Sequence, residues 1–155
     1  MPHVITVPPD TAVRPLGVHH VSINVDDLAA ARSFYVDVLG FTERIDRPDF
    51  PGTPGAWLDV GGQQVHLIVG EVPARLGQHY AVLVADLDST VTTLRERGVR
   101  VSDPVEVGTG LQSFTRDPSG NTVEIHEAGG VGRRAHGGDA GTIGSSQQES
   151  RRGLS

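Results

Sequence analysis

The chain contains no cysteine and no lysine, and these two absences remove several kinds of chemistry. Without cysteine, the 155 residues can form neither disulfides nor thiolate nucleophiles nor sulfur-ligated metal sites. All 13 basic residues are arginine, so no lysine amine is available to form a Schiff base. Nucleophilic and acid–base chemistry is therefore left to imidazole, carboxylate and hydroxyl groups or to a bound ion.

Positive charge and long apolar runs are also scarce. The formal net charge of -6 argues against a nucleic-acid partner, because phosphate binding needs a basic face. No apolar run approaches the roughly 18 residues of a membrane helix, and the first residues lack a basic region followed by an apolar stretch. The sequence therefore predicts a soluble cytoplasmic protein with no membrane partner.

Composition divides the chain into three segments. Residues 1–16 contain four prolines and predict an extended N-terminal arm. Residues 128–155 are rich in Gly, Ser and Arg and almost free of bulky apolar side chains, which predicts a disordered tail. The remaining residues 17–127 are long enough to form one domain with a hydrophobic core.

Within this domain the sequence repeats itself. The segment His20-Val-Ser-Ile-Asn-Val-Asp-Asp-Leu28 recurs 59 residues later as His79-Tyr-Ala-Val-Leu-Val-Ala-Asp-Leu87. A second segment, Asp59-Val-Gly-Gly-Gln-Gln-Val-His-Leu67, recurs 58 residues later as Asp117-Pro-Ser-Gly-Asn-Thr-Val-Glu-Ile125. The similar offsets indicate a duplicated module, with copies at about 17–70 and 78–127.

Hydrophobic periodicity predicts the same element order in both copies, namely a strand, a helix and three further strands. The fold class predicted is therefore α+β. The first copy is predicted to contain strands 18–25, 41–47, 56–60 and 63–69 around a helix from Leu28 to Val38. The second is predicted to contain strands 79–85, 99–101 with 105–107, 111–116 and 121–126 around a helix at 87–97.

Four side chains with metal-ligand chemistry lie at matching positions of this repeat. Because side chains alternate across a strand, His20, His66, His79 and Glu124 all lie opposite the apolar face of their strands. Three imidazoles and a carboxylate suit one divalent ion, namely Ni, Co, Zn, Mn or Fe. We therefore predict a shared metal site, and we interpret His19, which alternates to the other face, as structural.

Further residues are predicted to contact a small-molecule substrate. Four of them share the face of the predicted ligands, and the fifth is an aromatic residue expected to line the same pocket. They are Ser22, Asn24, Gln64, His126 and Phe114.

Two motifs carry a resemblance to a known family. The stretch Val18-His-His-Val-Ser-Ile-Asn-Val-Asp-Asp-Leu28, with Phe34-Tyr35 and Leu39-Gly40-Phe41, and the stretch Asp117-Pro-Ser-Gly-Asn-Thr-Val-Glu124 resemble the vicinal oxygen chelate superfamily. This family includes glyoxalase I, methylmalonyl-CoA epimerase, extradiol dioxygenases, and fosfomycin- and bleomycin-resistance proteins. The resemblance implies two paired βαβββ modules that form a cup-shaped mixed sheet, and it makes a homodimer the expected assembly.

By position, the resemblance implies metal ligation by His20, His79 and Glu124, with His66 at the place of a fourth ligand. Glyoxalase I commonly has Glu at that place and the epimerase typically has Gln, so the sequence departs from both. In this chain His66 is accordingly either a ligand or a base.

Three functions remain open from the sequence. The first is a glyoxalase-like isomerase, epimerase or lyase in which Glu124 or His66 moves a proton next to a substrate carbonyl. The second is a one-domain extradiol-type dioxygenase, in which His20, His79 and Glu124 bind Fe(II). The third is a non-catalytic binding protein that sequesters a small toxic ligand.

Overall fold

The computed structural model describes residues 15–129, which fold into two modules with the same element order. Nearly all of the predicted arm (1–16) and tail (128–155) lies outside the described residues. Within the described part, no helix is long and apolar enough to cross a membrane.

The first module forms a four-stranded mixed sheet with the order β1-β4-β3-β2. Strand β1 runs parallel to β4, whereas β3 is antiparallel to both β4 and β2. Helix α1 (Leu28–Arg32) continues without a break as a π-helical segment (Ser33–Val38). The strands are β1 (His20–Val25), β2 (Thr42–Glu43), β3 (Gly55–Val60) and β4 (Gln63–Val69).

The second module repeats this topology with the order β5-β8-β7-β6 and a parallel β5–β8 pair. Its helix α2 covers Leu87–Glu96. Its strands are β5 (Tyr80–Leu83), β6 (Val105–Val107), β7 (Gly110–Arg116) and β8 (Thr122–Glu127). The predicted α+β fold with two βαβββ modules is confirmed.

Both helices begin at the same local signal. The Asp27 carboxylate accepts a hydrogen bond from the Ala30 amide at 2.9 Å, and the Asp86 carboxylate accepts one from Ser89 at 2.8 Å. Each aspartate thus satisfies one of the amides that a helix start leaves without an intrahelical acceptor. The repeated Asp-Leu pair is therefore a pair of N-caps rather than a chemical site.

Several predicted strands are shorter than expected. The strand at 18–25 begins at His20, and the strand at 79–85 contains only Tyr80–Leu83. The strand at 41–47 contains only Thr42–Glu43; the Arg44 amide still donates to the carbonyl of Trp57, and a turn follows at residues 45–46. The strand at 99–101 reduces to an isolated bridge between Val101 and Thr115. Pro104, which has no amide hydrogen, separates this bridge from β6.

A buried polar contact joins the modules. Tyr35, which is fully buried, donates a hydrogen bond from its hydroxyl to Asp117 Oδ2 at 2.8 Å. Burial raises the pKa of Tyr35, and the nearby Tyr80 and Asp117 raise it further. The hydroxyl therefore keeps its proton and remains a donor. The Asn121 side chain adds a hydrogen bond to the carbonyl of Asn24 at 2.9 Å.

The two sheets face each other at their β1 and β5 edges, where two crevices lie. The "His79 crevice", of about 350 Å³, is lined by the second half of β1 and by His79. The "His20 crevice", of about 430 Å³, is lined by His20 and by β5 through Leu83. Each crevice therefore combines the start of one module's first strand with the later part of the other's, as expected for two copies related by a pseudo-two-fold axis.

Candidate metal centre

In the first module, β1 and β4 place two imidazoles face to face. The rings of His20 and His66 are stacked with centroids 4.0 Å apart and planes at 14°. The indole of Trp57, which pairs with His66 across β3 and β4, stacks on His66 at 4.7 Å. The ring of His66 therefore lies between the indole and the imidazole of His20, and His66 is only 9% exposed.

The hydrogen bonding of His66 sets its tautomer. Its Nε2 lies 2.8 Å from Gln64 Oε1, and because a carbonyl oxygen only accepts, Nε2 carries the proton. Burial lowers the pKa of His66, and the nearby His20 and His19 lower it further. His66 is therefore neutral near pH 7, with its lone pair on Nδ1 available to a metal or to a proton.

In the second module, one carboxylate lies between two imidazoles. Glu124 on β8 is 8% exposed. Its Oε2 lies 3.0 Å from His79 Nε2, and its Oε1 lies 2.9 Å from His126 Nδ1. Both oxygens thus accept charge-assisted hydrogen bonds when the histidines are protonated. This half of the candidate site carries the anionic group.

A backbone contact fixes the tautomer of His79. Its Nδ1 donates to the carbonyl of Gly77 at 2.8 Å, so Nε2 is the nitrogen left to face Glu124. A second hydrogen bond of this kind is typical of metal-binding histidines, because it sets the ring orientation. The ring of Phe114 packs edge-to-face on His79 at 5.4 Å and supports the same orientation.

The four predicted ligands form two pairs in the single chain. His20 pairs with His66 and His79 pairs with Glu124, but His20 and His79 line different crevices. Among residues 15–129, no group of three or more His, Cys, Asp or Glu side chains is arranged to hold a metal ion. The chemistry of the donors nevertheless fits a divalent ion, since the pairs together offer three imidazoles and one carboxylate.

The predicted substrate contacts divide into two groups. Ser22 and Asn24 line the His79 crevice, whereas Gln64 and His126 hydrogen-bond to His66 and Glu124. Phe114 packs on His79. Gln64 and His126 therefore act as positioning residues. Each of them lies two residues from the group that it contacts, on the same face of the same strand. This spacing in the sequence could have predicted the two contacts.

His19 lies beside His20, and not on the opposite face as strand alternation predicted; its structural role stays a prediction. Its Nδ1 lies 2.9 Å from Nδ1 of His20, and the two rings meet edge-to-face at 5.2 Å. Because β1 begins at His20, the strand alternation that placed His19 on the far face does not extend to it.

With this geometry in place, comparison with known proteins identifies the family. Residues 17–125 match the sequence profile of the Glyoxalase/Bleomycin resistance protein/Dioxygenase superfamily. The chain belongs to this superfamily. Its members include enzymes such as glyoxalase as well as proteins that bind small molecules.

Individual relatives agree with this assignment. The chain is 30% identical over 125 residues to the uncharacterized protein YaeR of Escherichia coli, covering 71% of this chain and 95% of YaeR. A solved lactoylglutathione lyase of Agrobacterium tumefaciens shares the fold with a TM-score of 0.60 at 23% identity, covering 74% of this chain and 95% of that chain. The antibiotic binding protein TnmS3 of Streptomyces sp. CB03234 matches with a TM-score of 0.59 at 26% identity, covering 76% and 98%.

Proposed function

We propose that this protein is a divalent-metal-dependent lyase, isomerase or epimerase of glyoxalase type that acts on a small substrate with vicinal oxygens. The observation that carries the proposal is the contrast between the two pairs. Glu124 offers an anionic oxygen beside His79, and His66 offers a neutral imidazole beside His20. Together they supply an anchor for a cation and a base for a proton.

The bound ion would supply a Lewis acid with open positions for two substrate oxygens. The residues of the chain would transfer the proton and supply the negative charge. His66, held by Gln64 and Trp57, accepts the proton next to the substrate carbonyl at Nδ1 and returns it at the neighbouring carbon or oxygen. Glu124 contributes the negative charge, and His126 fixes the orientation of its second oxygen. Burial of His66 suits the base role because it keeps the imidazole neutral.

The proposed assembly is a homodimer that combines pairs from two chains. In a two-fold dimer, if one surface of the first chain contacts a second surface of its partner, the same contact also forms with the two chains exchanged. The His20 crevice of one chain would then face the His79 crevice of the other, which unites His20 and His66 with His79 and Glu124. We also propose that the protein is cytoplasmic, as the sequence predicts.

The second candidate is a non-catalytic binding protein, and the similarity to the antibiotic binding protein TnmS3 favours it. In that case ligand binding persists after treatment with a chelator. It also persists in the His79→Ala variant.

Elemental analysis of the purified protein, followed by anaerobic turnover of a panel of vicinal-oxygen carbonyl substrates, tests the first candidate. We expect a bound divalent ion and metal-dependent turnover without oxygen. Oxygen consumption that requires Fe(II) would instead establish a dioxygenase. A protein with no affinity for Ni, Co, Zn, Mn or Fe(II) would contradict both enzymatic functions.

A further inference from the structure

The His79 crevice has an unusual charge for this chain. It is lined by Ser22 and Asn24 from β1 and by Arg75 from the loop between β4 and β5. Of the residues that the structure describes, none that lines this crevice is an aspartate or a glutamate, although the chain as a whole carries a net charge of -6. Arg75 is thus its permanent charge, and the crevice favours an anion.

The loop that carries Arg75 is held by hydrogen bonds on both sides of this residue. Before it, the Asn24 side chain donates to the carbonyl of Glu71 at 2.8 Å. Around it, the Gln78 side chain donates to the carbonyl of Ala74 at 2.7 Å. Because one of these bonds comes from β1 itself, the loop is fastened to the wall of the crevice.

Arg75 has no acidic partner in the part of the chain that the structure describes, unlike Arg32, Arg44 and Arg95, which form ion pairs. Among residues 15–129, no arginine lines the His20 crevice, which is the pseudo-symmetric counterpart. The cation is therefore specific to one of two otherwise related crevices, and it lies in the one that also contains His79.

We propose that the His79 crevice binds the carboxylate of a small substrate through the guanidinium of Arg75. The planar guanidinium presents paired N–H donors that match the two oxygens of a carboxylate. The volume of about 350 Å³ suits a small ligand. This inference rests on the proposed function, which it extends by naming the substrate class: a short carboxylic acid with an adjacent oxygen for chelation.

The test uses pyruvate and its uncharged analogue methyl pyruvate, titrated into chelator-treated full-length protein and followed by two-dimensional NMR. We expect pyruvate to shift the amide signals of Arg75 and His79. Its affinity should fall about tenfold in Arg75→Gln, because a hydrogen-bonded charge is lost. Affinity should stay unchanged in Arg100→Gln, an exposed arginine outside this crevice. Methyl pyruvate should bind at least about tenfold more weakly than pyruvate.

Equal pyruvate affinity in Arg75→Gln and the unaltered protein would overturn the inference, as would equal binding of methyl pyruvate or no binding of pyruvate. The metal content of the same preparations separates this outcome from failure of the proposed function. Binding of pyruvate through Arg75 in a protein that takes up no metal retains the carboxylate site but excludes the metal-dependent enzyme. Metal uptake with metal-dependent turnover but without pyruvate binding retains the metal-dependent enzyme and excludes the carboxylate site.

Discussion

The two modules place different chemistry on the same pair of strands. In the first module the inner position is His66, neutral and stacked between an indole and an imidazole. In the second it is Glu124, an anion between His79 and His126. Both inner residues are buried, and each has an outer histidine near the beginning of a neighbouring strand, His20 as the first residue of β1 and His79 just before β5. Duplication thus conserves the geometry of the half-site, while one substitution changes its charge.

This difference is the basis of the proposed division of roles. A carboxylate contributes most to holding a cation, whereas a neutral imidazole contributes most to moving a proton near neutral pH. The surroundings of each inner residue agree with its role. Glu124 is hydrogen-bonded at both oxygens, whereas His66 keeps one nitrogen outside its contact with Gln64.

The largest effect, on metal binding, is expected when one pair of site residues is removed from each of two chains. One variant carries His20→Ala and His66→Ala, and the other carries His79→Ala and Glu124→Ala. Each should lose metal binding as a homodimer. A heterodimer of the two, purified through different tags, should bind one ion, because one of its composite sites retains all four of these residues. The measurement is metal content per heterodimer.

The two homodimers, purified through the same tags, serve as controls. A heterodimer that binds no metal, alongside an unaltered protein that does, would show that the ligands of one site come from a single chain.

The next effect concerns the inner residues alone. Glu124→Gln keeps the shape of the side chain but removes the charge, and we expect metal affinity to fall by at least about 100-fold. His66→Gln should lower metal affinity less and turnover more, by roughly 10² to 10⁴-fold, because a positioned base is lost. Competition with a metal-sensitive dye gives the affinities, and turnover is measured at saturating metal. Equal losses of affinity in both variants would remove the proposed division of roles.

A smaller effect is expected where the modules contact each other through Tyr35. The corresponding residue of the second copy, 59 positions later, is the buried Leu94, so this hydroxyl is a feature of the first module. Tyr35→Phe should lower the free energy of unfolding by about 1 to 2 kcal/mol, because Asp117 loses a buried donor. Denaturant unfolding provides the measurement, and Tyr35→Leu serves as a second variant that also removes the ring. No loss in Tyr35→Phe would contradict a stabilising role for this bond.

The smallest expected effect is a pH dependence of stability in chelator-treated protein. Burial lowers the pKa of folded His66 below its ordinary value of 6.5, so the unfolded chain binds more protons as pH falls through that value. Stability should therefore decrease as pH falls from 7 to 5. The decrease should be smaller in His66→Gln, measured by thermal unfolding at each pH. Identical pH profiles for the two proteins would show that His66 does not titrate in this way.

Sequence alone predicted those features that depend on local periodicity. Strand alternation brought His20 to the face of His66, because the side-chain period of two is a property of each strand. His79 contacts Glu124 from the residue just before β5, outside the strand on which the prediction placed it. Strand alternation could not predict the separation of the two pairs, because that depends on how β1 meets β5. The same limit applied at strand ends, where β2 stops at Glu43 and His19 lies before the first residue of β1.

The stacking of Trp57 on His66 has an optical consequence. The chain contains one tryptophan, so its fluorescence arises from the indole that lies 4.7 Å from this imidazole. Emission intensity should therefore change when His66 gains a proton or coordinates an ion. The protein thus carries an intrinsic, label-free spectroscopic probe of the first half-site, which reports its state without a substrate or an added dye.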